Sequence, residues 1–154
     1  MTNLSLPTRW VTRVLAALFL SVGSFGAQAE QSQDFGNHVV HFNAIPTGFL
    51  NPKVATQFNV RRSKNRALLN VSVLKKHMGT SGEPVSAQVT AKAVNLTGQA
   101  REINMREVRQ GQAIYQLGDF KIHNEETLDF TIEATPVGGD QTYTVKFRRQ
   151  FFVD

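Results

Sequence analysis

The chain has 154 residues, carries 17 Lys and Arg against 12 Asp and Glu, and contains no cysteine. The missing cysteine excludes disulfides, a thiol nucleophile and a Cys-based zinc site, so the fold must depend on its apolar core. A net charge of +5 is too small a surplus to indicate nucleic-acid binding.

The first 29 residues have the pattern of a signal peptide. A basic start with Arg9 and Arg13 precedes a short apolar stretch, residues 14–22. An Ala-x-Ala cleavage site, Ala27-Gln28-Ala29, follows. The apolar stretch is too short for a transmembrane helix, and no cysteine follows the cleavage site to carry a lipid. We therefore expect an exported, periplasmic protein without a membrane anchor, whose single domain is residues 30–154. Loss of the two leader arginines lowers the net charge from +5 to +3.

Residues 30–154 alternate between apolar and polar side chains almost throughout, and Gly-rich or polar turns interrupt the pattern about every ten residues. Such alternation predicts strands with one face in a core and one in water. The predicted strands lie near 35–44, 58–62, 66–75, 85–94, 100–109, 113–121, 127–135 and 142–153. They indicate an all-β, immunoglobulin-like antiparallel two-sheet sandwich of seven or eight strands. A barrel is the alternative that the pattern leaves open.

One segment, residues 45–58, departs from the strand pattern. Pro46 and Pro52 cannot lie in central strands because proline lacks the backbone N–H that a sheet requires. Asn51 followed by Pro52 is a favourable N-cap and first-turn pair, so we predict one short helix over 52–57. We expect this early connection to cross one end of the sandwich.

Four stretches of the chain together resemble a known family. They are Phe49-Leu50-x-Pro52-x-Val54-Ala55, the run from Arg62 to Leu74, Ala113-Ile114-Tyr115, and Tyr143-x-Val145-x-Phe147. The family consists of small exported bacterial proteins and is known as domain of unknown function 4426. The resemblance covers nearly all of residues 30–154 and implies a periplasmic setting in a Gram-negative bacterium. It implies no activity, ligand or catalytic residue.

Catalytic and metal-binding chemistry finds little support in the residue pattern. His38 and His41 are three residues apart, and on a strand this odd spacing places them on opposite faces. His123 near Glu125 and Glu126 is the remaining candidate, for weak cation binding or for an enzyme, although charged residues in a turn are usually only solvated. We predict that the protein is not an enzyme, has no catalytic residues and needs no metal or cofactor.

The predicted contact surface combines apolar and basic side chains of the irregular segment and its neighbour: Phe49, Leu50, Arg62, Lys64 and Arg66. Phe49 and Leu50 either point outward as a rigid docking feature or point inward to cap the sandwich. Two basic clusters, Arg61–Arg66 and Lys146–Arg149, either bind an anionic partner or protect strand edges from pairing.

These features favour a monomeric, exported periplasmic module that binds an envelope protein and performs no catalysis. The alternative is a periplasmic carrier of a small ligand or metal, with a pocket between the two sheets.

Overall fold

The computed structural model describes residues 31–78 and 82–153, so the predicted leader, residues 1–29, lies outside the described residues. The described part forms ten strands, a single-turn 3-10 helix (Thr47–Phe49) and one short α-helix, α1 (Pro52–Gln57). The strands are β1 (Gln31–Asp34), β2 (His38–Pro46), β3 (Arg66–Lys75), β4 (Glu83–Val85), β5 (Ala87–Asn95), β6 (Ala100–Ile103), β7 (Arg106–Gln110), β8 (Ala113–Lys121), β9 (Glu126–Pro136) and β10 (Tyr143–Phe151).

The strands form two antiparallel sheets. The first has the order β1-β2-β3-β8-β7, with β4 also pairing the end of β3, and the second has the order β10-β9-β5-β6. In chain order, β2, β3, β5, β6, β7, β8, β9 and β10 occupy the positions of immunoglobulin strands A, B, C, C′, D, E, F and G. The sheets are then A-B-E-D and C′-C-F-G, which is the immunoglobulin arrangement. The predicted two-sheet, immunoglobulin-like sandwich is confirmed.

The main core lies between the sheets, where apolar side chains from alternate strand positions meet. Leu69 and Val71 of β3 are fully buried in the same core as Ile132 and Val145 of the second sheet. Phe130 lies in an aromatic cluster: its ring stacks on Phe147 with centroids 4.6 Å apart and meets Phe120 edge-on at 5.5 Å. This core forms without disulfides, as the missing cysteines require.

Residues 58–62, predicted as a strand, are instead part of a loop, so that prediction is wrong. Phe58 ends α1, and Asn59 has a left-handed backbone with φ 51°, which does not occur in a regular strand. Val60 is buried, and its N–H donates to the carbonyl of Ala55 at 2.8 Å. The alternation of Phe58 and Val60 with polar residues reflects packing into a small core without pairing in a sheet, since Val60 is buried and Phe58 is partly buried there.

The predicted strand 100–109 is two strands that belong to different sheets. β6 pairs with β5 in the second sheet, whereas β7 pairs with β8 in the first, and Asn104 and Met105 cross between the layers. The division of this run, together with the short strands β1 and β4, gives ten strands in the described part of the chain where seven or eight were predicted.

A second, smaller core covers the outer face of the first sheet. It contains Val60, Leu68 and Leu117, with partly buried apolar neighbours: Ile45, Leu50, Phe58, Val108 and Tyr115. The covering layer is the 47–60 connection, which is the 3-10 helix, α1 and the loop that follows. This connection therefore lies against a sheet face, and the prediction that it crosses one end of the sandwich is wrong. Within the described residues, no helix is long and apolar enough to cross a membrane.

Candidate functional site

The α1 helix forms where the sequence predicts it, and its start fixes the geometry of the connection. The side chain of Asn51 accepts a hydrogen bond from the N–H of Lys53 at 2.9 Å, and Pro52 occupies the first turn. Asparagine is a favoured N-cap because its side-chain oxygen satisfies an otherwise unpaired N–H at the helix start. The predicted helix over 52–57 is confirmed.

Phe49 projects from a turn that is anchored at several points. Thr47 is fully buried; its hydroxyl donates to the carbonyl of Ser63 at 3.0 Å and accepts from the N–H of Ser63 at 3.0 Å. Arg62 Nη2 donates to the carbonyl of Gly48 at 3.0 Å. Despite these anchors on the backbone, 83% of Phe49 is exposed. The ring with its supporting turn, residues 47–49, is called the Phe49 knob below.

Leu50 points the other way. It is half-buried and packs into the small core with Leu68 and Leu117 on the outer face of the first sheet. Of the two positions that the sequence left open for this pair, Phe49 therefore takes the outward one and Leu50 the inward one. Phe49 is available to a partner, whereas Leu50 fastens the 47–60 connection to the sheet.

The three basic candidates also differ in their surroundings. Arg66 is held by Asp119: Arg66 Nε donates to Oδ2 at 2.8 Å, and Nη2 contacts the same oxygen. Arg62 is exposed but directed back to Gly48, and Lys64 is exposed on the loop before β3. Arg62 and Lys64 therefore lie beside the Phe49 knob, while the charge of Arg66 is balanced within the fold.

The two basic clusters belong to elements of different sheets. Arg61, Arg62 and Lys64 lie in the loop before β3, and Arg66 is the first residue of β3, an inner strand of the first sheet, so edge protection does not explain that cluster. Lys146 and Arg148 lie on β10, an edge strand of the second sheet, where Arg148 pairs with Asp129 at 2.6 Å. Edge protection fits these two residues, and the hydrogen bond to Asp129 raises the pKa of Arg148 above its ordinary value.

Arg149, the charged residue in the apolar pattern of β10, is partly buried. Its Nη1 donates to Oδ1 of Asn43 at 3.2 Å, and its guanidinium lies 5.5 Å from the ring centre of Phe151. Burial lowers the pKa of Arg149 from its ordinary value because a charge is less well solvated inside the protein. Arg149 thus contacts an amide of the first sheet and takes no part in the exposed basic surface.

The outer groove is a feature that sequence reasoning missed. It is a cavity of about 240 Å³ on the outer face of the first sheet, beside the 47–60 connection. Its apolar walls include Ile45, Leu50, Phe58, Leu68, Tyr115 and Leu117, and its polar residues are Asn43, Asn70 and Gln110. The run Ala67-Leu68-Leu69 carried a signal, since consecutive apolar residues in a strand indicate that both faces are covered. A pocket between the sheets was expected for a carrier, and this groove lies outside them.

The histidines lie in structural contacts. His38 Nδ1 is 2.8 Å from the hydroxyl of Tyr143 across the sandwich, and burial, with a smaller effect of Lys75, lowers the pKa of His38. His41 lies on the opposite face of β2 from His38, as the odd spacing of the two residues predicts. Within residues 31–78 and 82–153, no three His, Asp, Glu or Cys residues lie close enough to hold a metal ion.

Glu126 is the partner of His123, but it is also held by an arginine. Arg101 donates to its two oxygens at 2.5 and 3.3 Å, and the N–H and Nδ1 of His123 lie 3.1 and 3.2 Å from Oε2. Burial by itself would raise the pKa of Glu126, but the hydrogen bonds from Arg101 and His123 and the charge of Arg101 lower it below its ordinary 4.5. Glu126 therefore joins β6 to the turn before β9 as an ionised carboxylate.

We expect Glu126→Gln to lower the free energy of unfolding by about 2 kcal/mol at pH 7, because hydrogen bonds to a charged group are lost. A carboxylate whose pKa is lowered in the fold stabilises it above the unfolded pKa, and this contribution is lost as the pH falls through the folded pKa. The difference between wild type and variant should therefore narrow below about pH 4.5. Urea unfolding at several pH values measures this. Glu125→Gln, at an exposed neighbour, is the control, and an equal loss there would contradict the role of Glu126.

These elements define an immunoglobulin-like β-sandwich whose outer sheet face carries a fastened connection, an exposed aromatic residue and a small groove. The family model for the domain of unknown function DUF4426 matches residues 32–154, and the chain belongs to this family. The predicted family membership is confirmed. No curated protein matches the chain.

Solved structures share the fold. A DUF4426 family protein from Pseudomonas aeruginosa PAO1 is 38% identical, with a TM-score of 0.72 over 83% of this chain and 98% of that chain. FetP from uropathogenic Escherichia coli strain F11 is 12% identical, with a TM-score of 0.59 over 80% of this chain and 94% of that chain. A copper-bound variant of FetP is 11% identical, with a TM-score of 0.58 over 80% and 95% of the two chains. At such low identity, the likeness to FetP shows the fold alone.

Proposed function

We propose that this protein is an exported, non-catalytic binding module that docks a protein of the bacterial envelope through the Phe49 knob. The observation that carries the proposal is an aromatic side chain with 83% exposure on a turn whose backbone is fixed by Thr47 and Arg62. A large exposed aromatic residue is a common binding anchor, since it buries much apolar area with few rotatable bonds. A fixed turn also lowers the entropy lost on binding.

The charges around the knob indicate the chemistry of the partner. Arg61, Arg62 and Lys64 are exposed on the loop beside the knob. A partner with an apolar pocket and an acidic rim would match this surface, and the charges would mainly raise the association rate. Leu50 and Arg66 support the site from within the fold, the first by packing and the second through Asp119.

The proposed setting is the periplasm, and the proposed state is a monomer. The leader pattern of residues 1–29 supports export. The family match begins at residue 32, just after the predicted cleavage site, which agrees with a separate leader. The non-catalytic part of the proposal is supported by Glu126, whose carboxylate is occupied by Arg101. Metal carriage is not part of the proposal, because the residues that the structure describes bring no three candidate ligands together.

Crosslinking in the native periplasm tests the docking role of Phe49. Phe49→Ser should remove a specific crosslinked species without lowering the melting temperature, since the ring makes little contact with the fold. Leu96→Ser is the matched control, because Leu96 is an apolar side chain with 70% exposure in the turn after β5. A crosslinked species that Phe49→Ser retains, or that Leu96→Ser removes equally, would contradict the proposal.

A further inference from the structure

A second cavity, of about 330 Å³, lies at one end of the first sheet, where the loop before β3 meets the end of β8. The residues that line it include no Asp or Glu. Its polar lining residues are Arg61, Ser63, Asn65, Arg66, Lys121 and His123. This basic cavity is separate from the Phe49 knob, because Phe49, Arg62 and Lys64 do not line it.

Two cations of the basic cavity lie directly opposite each other in the first sheet. Arg66 of β3 pairs in register with Lys121 of β8, so both side chains are on the same face of the sheet. Like charges at directly opposite positions destabilise an antiparallel pair. Asp119 balances Arg66, whose Nε donates to it at 2.8 Å, but within residues 31–78 and 82–153 no ion pair balances Lys121. An anion beside Lys121 would therefore relieve an unfavourable contact of the fold.

The basic cavity has a surplus of two positive charges. Arg66 contacts Asp119, and His123 contacts Glu126, so these two lining residues already have acidic partners. Arg61 and Lys121 are exposed and have no acidic partner in the part of the chain that the structure describes. A phosphate monoester carries about 1.5 to 2 negative charges at pH 7 and three strong acceptor oxygens. Its charge matches that of the two unpaired cations.

The cavity also offers hydrogen-bond donors on a fixed backbone. Ser63 Oγ accepts from the N–H of Asn65 at 3.2 Å, which leaves its O–H proton to donate to a ligand. Arg66 uses Nε and Nη2 for Asp119, so its Nη1 group is available. The loop is joined to β8 by the N–H of Ile122, which donates to the carbonyl of Asn65 at 3.0 Å. A wall that is fixed before binding loses less entropy when the ligand arrives.

We propose that the basic cavity is a binding site for a phosphate monoester group, held by Arg61, Arg66 and Lys121 with the hydroxyl of Ser63 as a further donor. The cavity is at the lower end of the roughly 300–1,000 Å³ of small-molecule pockets, so it holds the phosphate and a small part of the molecule that carries it. This group occurs both on soluble metabolites and on lipid headgroups.

Titration of the isotope-labelled protein with glycerol 3-phosphate, followed by amide chemical shifts, tests the proposal. The titration extends to about 10 mM at constant ionic strength, because salt screens exposed charges. We expect saturating shifts at Ser63, Asn65 and Lys121. Acetate, which carries one charge, should bind at least about fivefold more weakly. Equal affinities for the two anions, or shifts confined to residues outside the cavity, would overturn the proposal on the wild type alone.

Substitutions of single exposed cations supply the second arm. Arg61→Gln and Lys121→Gln should each weaken the binding of glycerol 3-phosphate about fivefold. Lys146→Gln is the matched control, because it removes the same charge from an exposed position of β10 in the second sheet. It should change the affinity less than about twofold. Equal weakening by Lys121→Gln and Lys146→Gln would show attraction to the net charge only and would overturn the site.

Vesicle sedimentation separates the two sources of the phosphate group. The vesicles consist of phosphatidylcholine with or without phosphatidic acid, whose headgroup is a phosphate monoester. Sedimentation that requires both phosphatidic acid and Lys121 supports the proposal with a lipid source. Binding of glycerol 3-phosphate without sedimentation supports it with a soluble source, and failure of both would overturn it. None of these measurements depends on Phe49, so the result is independent of the proposed docking function.

Discussion

Phe130→Ala is expected to lower the free energy of unfolding by about 3–5 kcal/mol, the largest single loss that the structure predicts. Phe130 is only 1% exposed and contacts three other rings, Phe147, Phe120 and Phe151, at centroid distances of 4.6, 5.5 and 6.3 Å. These rings belong to both sheets, so the side chain links the two layers. Truncation removes buried apolar area and leaves a cavity that the surrounding strands can fill only in part.

Urea unfolding followed by circular dichroism measures this loss, and Phe49→Ala provides the matched control. The same substitution removes the same atoms at both positions, but Phe49 is 83% exposed. We expect Phe49→Ala to change stability by no more than about 0.5 kcal/mol. A loss below about 1 kcal/mol for Phe130→Ala would mean that the aromatic cluster does not hold the sheets together. A large loss for Phe49→Ala would remove the basis for the knob.

Gly118→Val is expected to lower the free energy of unfolding by about 3 kcal/mol, because β8 has no room for a side chain at this position. A Cβ on Gly118 would lie 2.5 Å from Ile103 Cγ2, 2.6 Å from Met105 Sδ and 3.0 Å from the carbonyl of Asn104. Ile103 ends β6, and Asn104 and Met105 form the crossing to β7, where the chain passes from one sheet to the other. The crossing would have to move away from β8 and would disturb the pairing of both strands.

Gly139→Ala is the control for this prediction, measured in the same unfolding experiment. A Cβ on Gly139 would meet its nearest atom, the carbonyl of Pro136, at an ordinary contact distance of 3.5 Å. The expected change is therefore within about 0.5 kcal/mol. Full stability of Gly118→Val would show that the crossing does not pack against β8 as described.

The alternation of side chains carries most of the information on the fold. It is clearest where one strand face meets the main core and the other meets solvent, as in β9 and β10, and there the predicted strands are close to the observed ones. Asn51 and Pro52 locate α1 because capping is a local interaction. The division of residues 100–109 could not be predicted, because it depends on the space above Gly118 in a strand that follows later in the chain.

Less of the site could be predicted, because its geometry also depends on residues that are distant in sequence. The composition of residues 46–55 indicated an unusual surface, but the opposite directions of Phe49 and Leu50 depend on Leu68 and Leu117, which are distant in sequence. Arg66 resembles its basic neighbours until Asp119 of β8 is placed beside it. Asn70 looks like an ordinary solvent-facing strand residue, and its place in the lining of the outer groove depends on the 47–60 connection that packs beside it.

Site-specific photocrosslinking tests the docking role of Phe49 most directly. A photoreactive phenylalanine analogue at position 49 keeps the ring of the knob and reports what lies against it in the native periplasm. We expect one dominant crosslinked protein from position 49, none from the same analogue at position 96, and slower formation of the product when Arg62 and Lys64 are replaced by Ser. Equal products from positions 49 and 96, or no product from position 49 in a folded and exported protein, would contradict the proposed function.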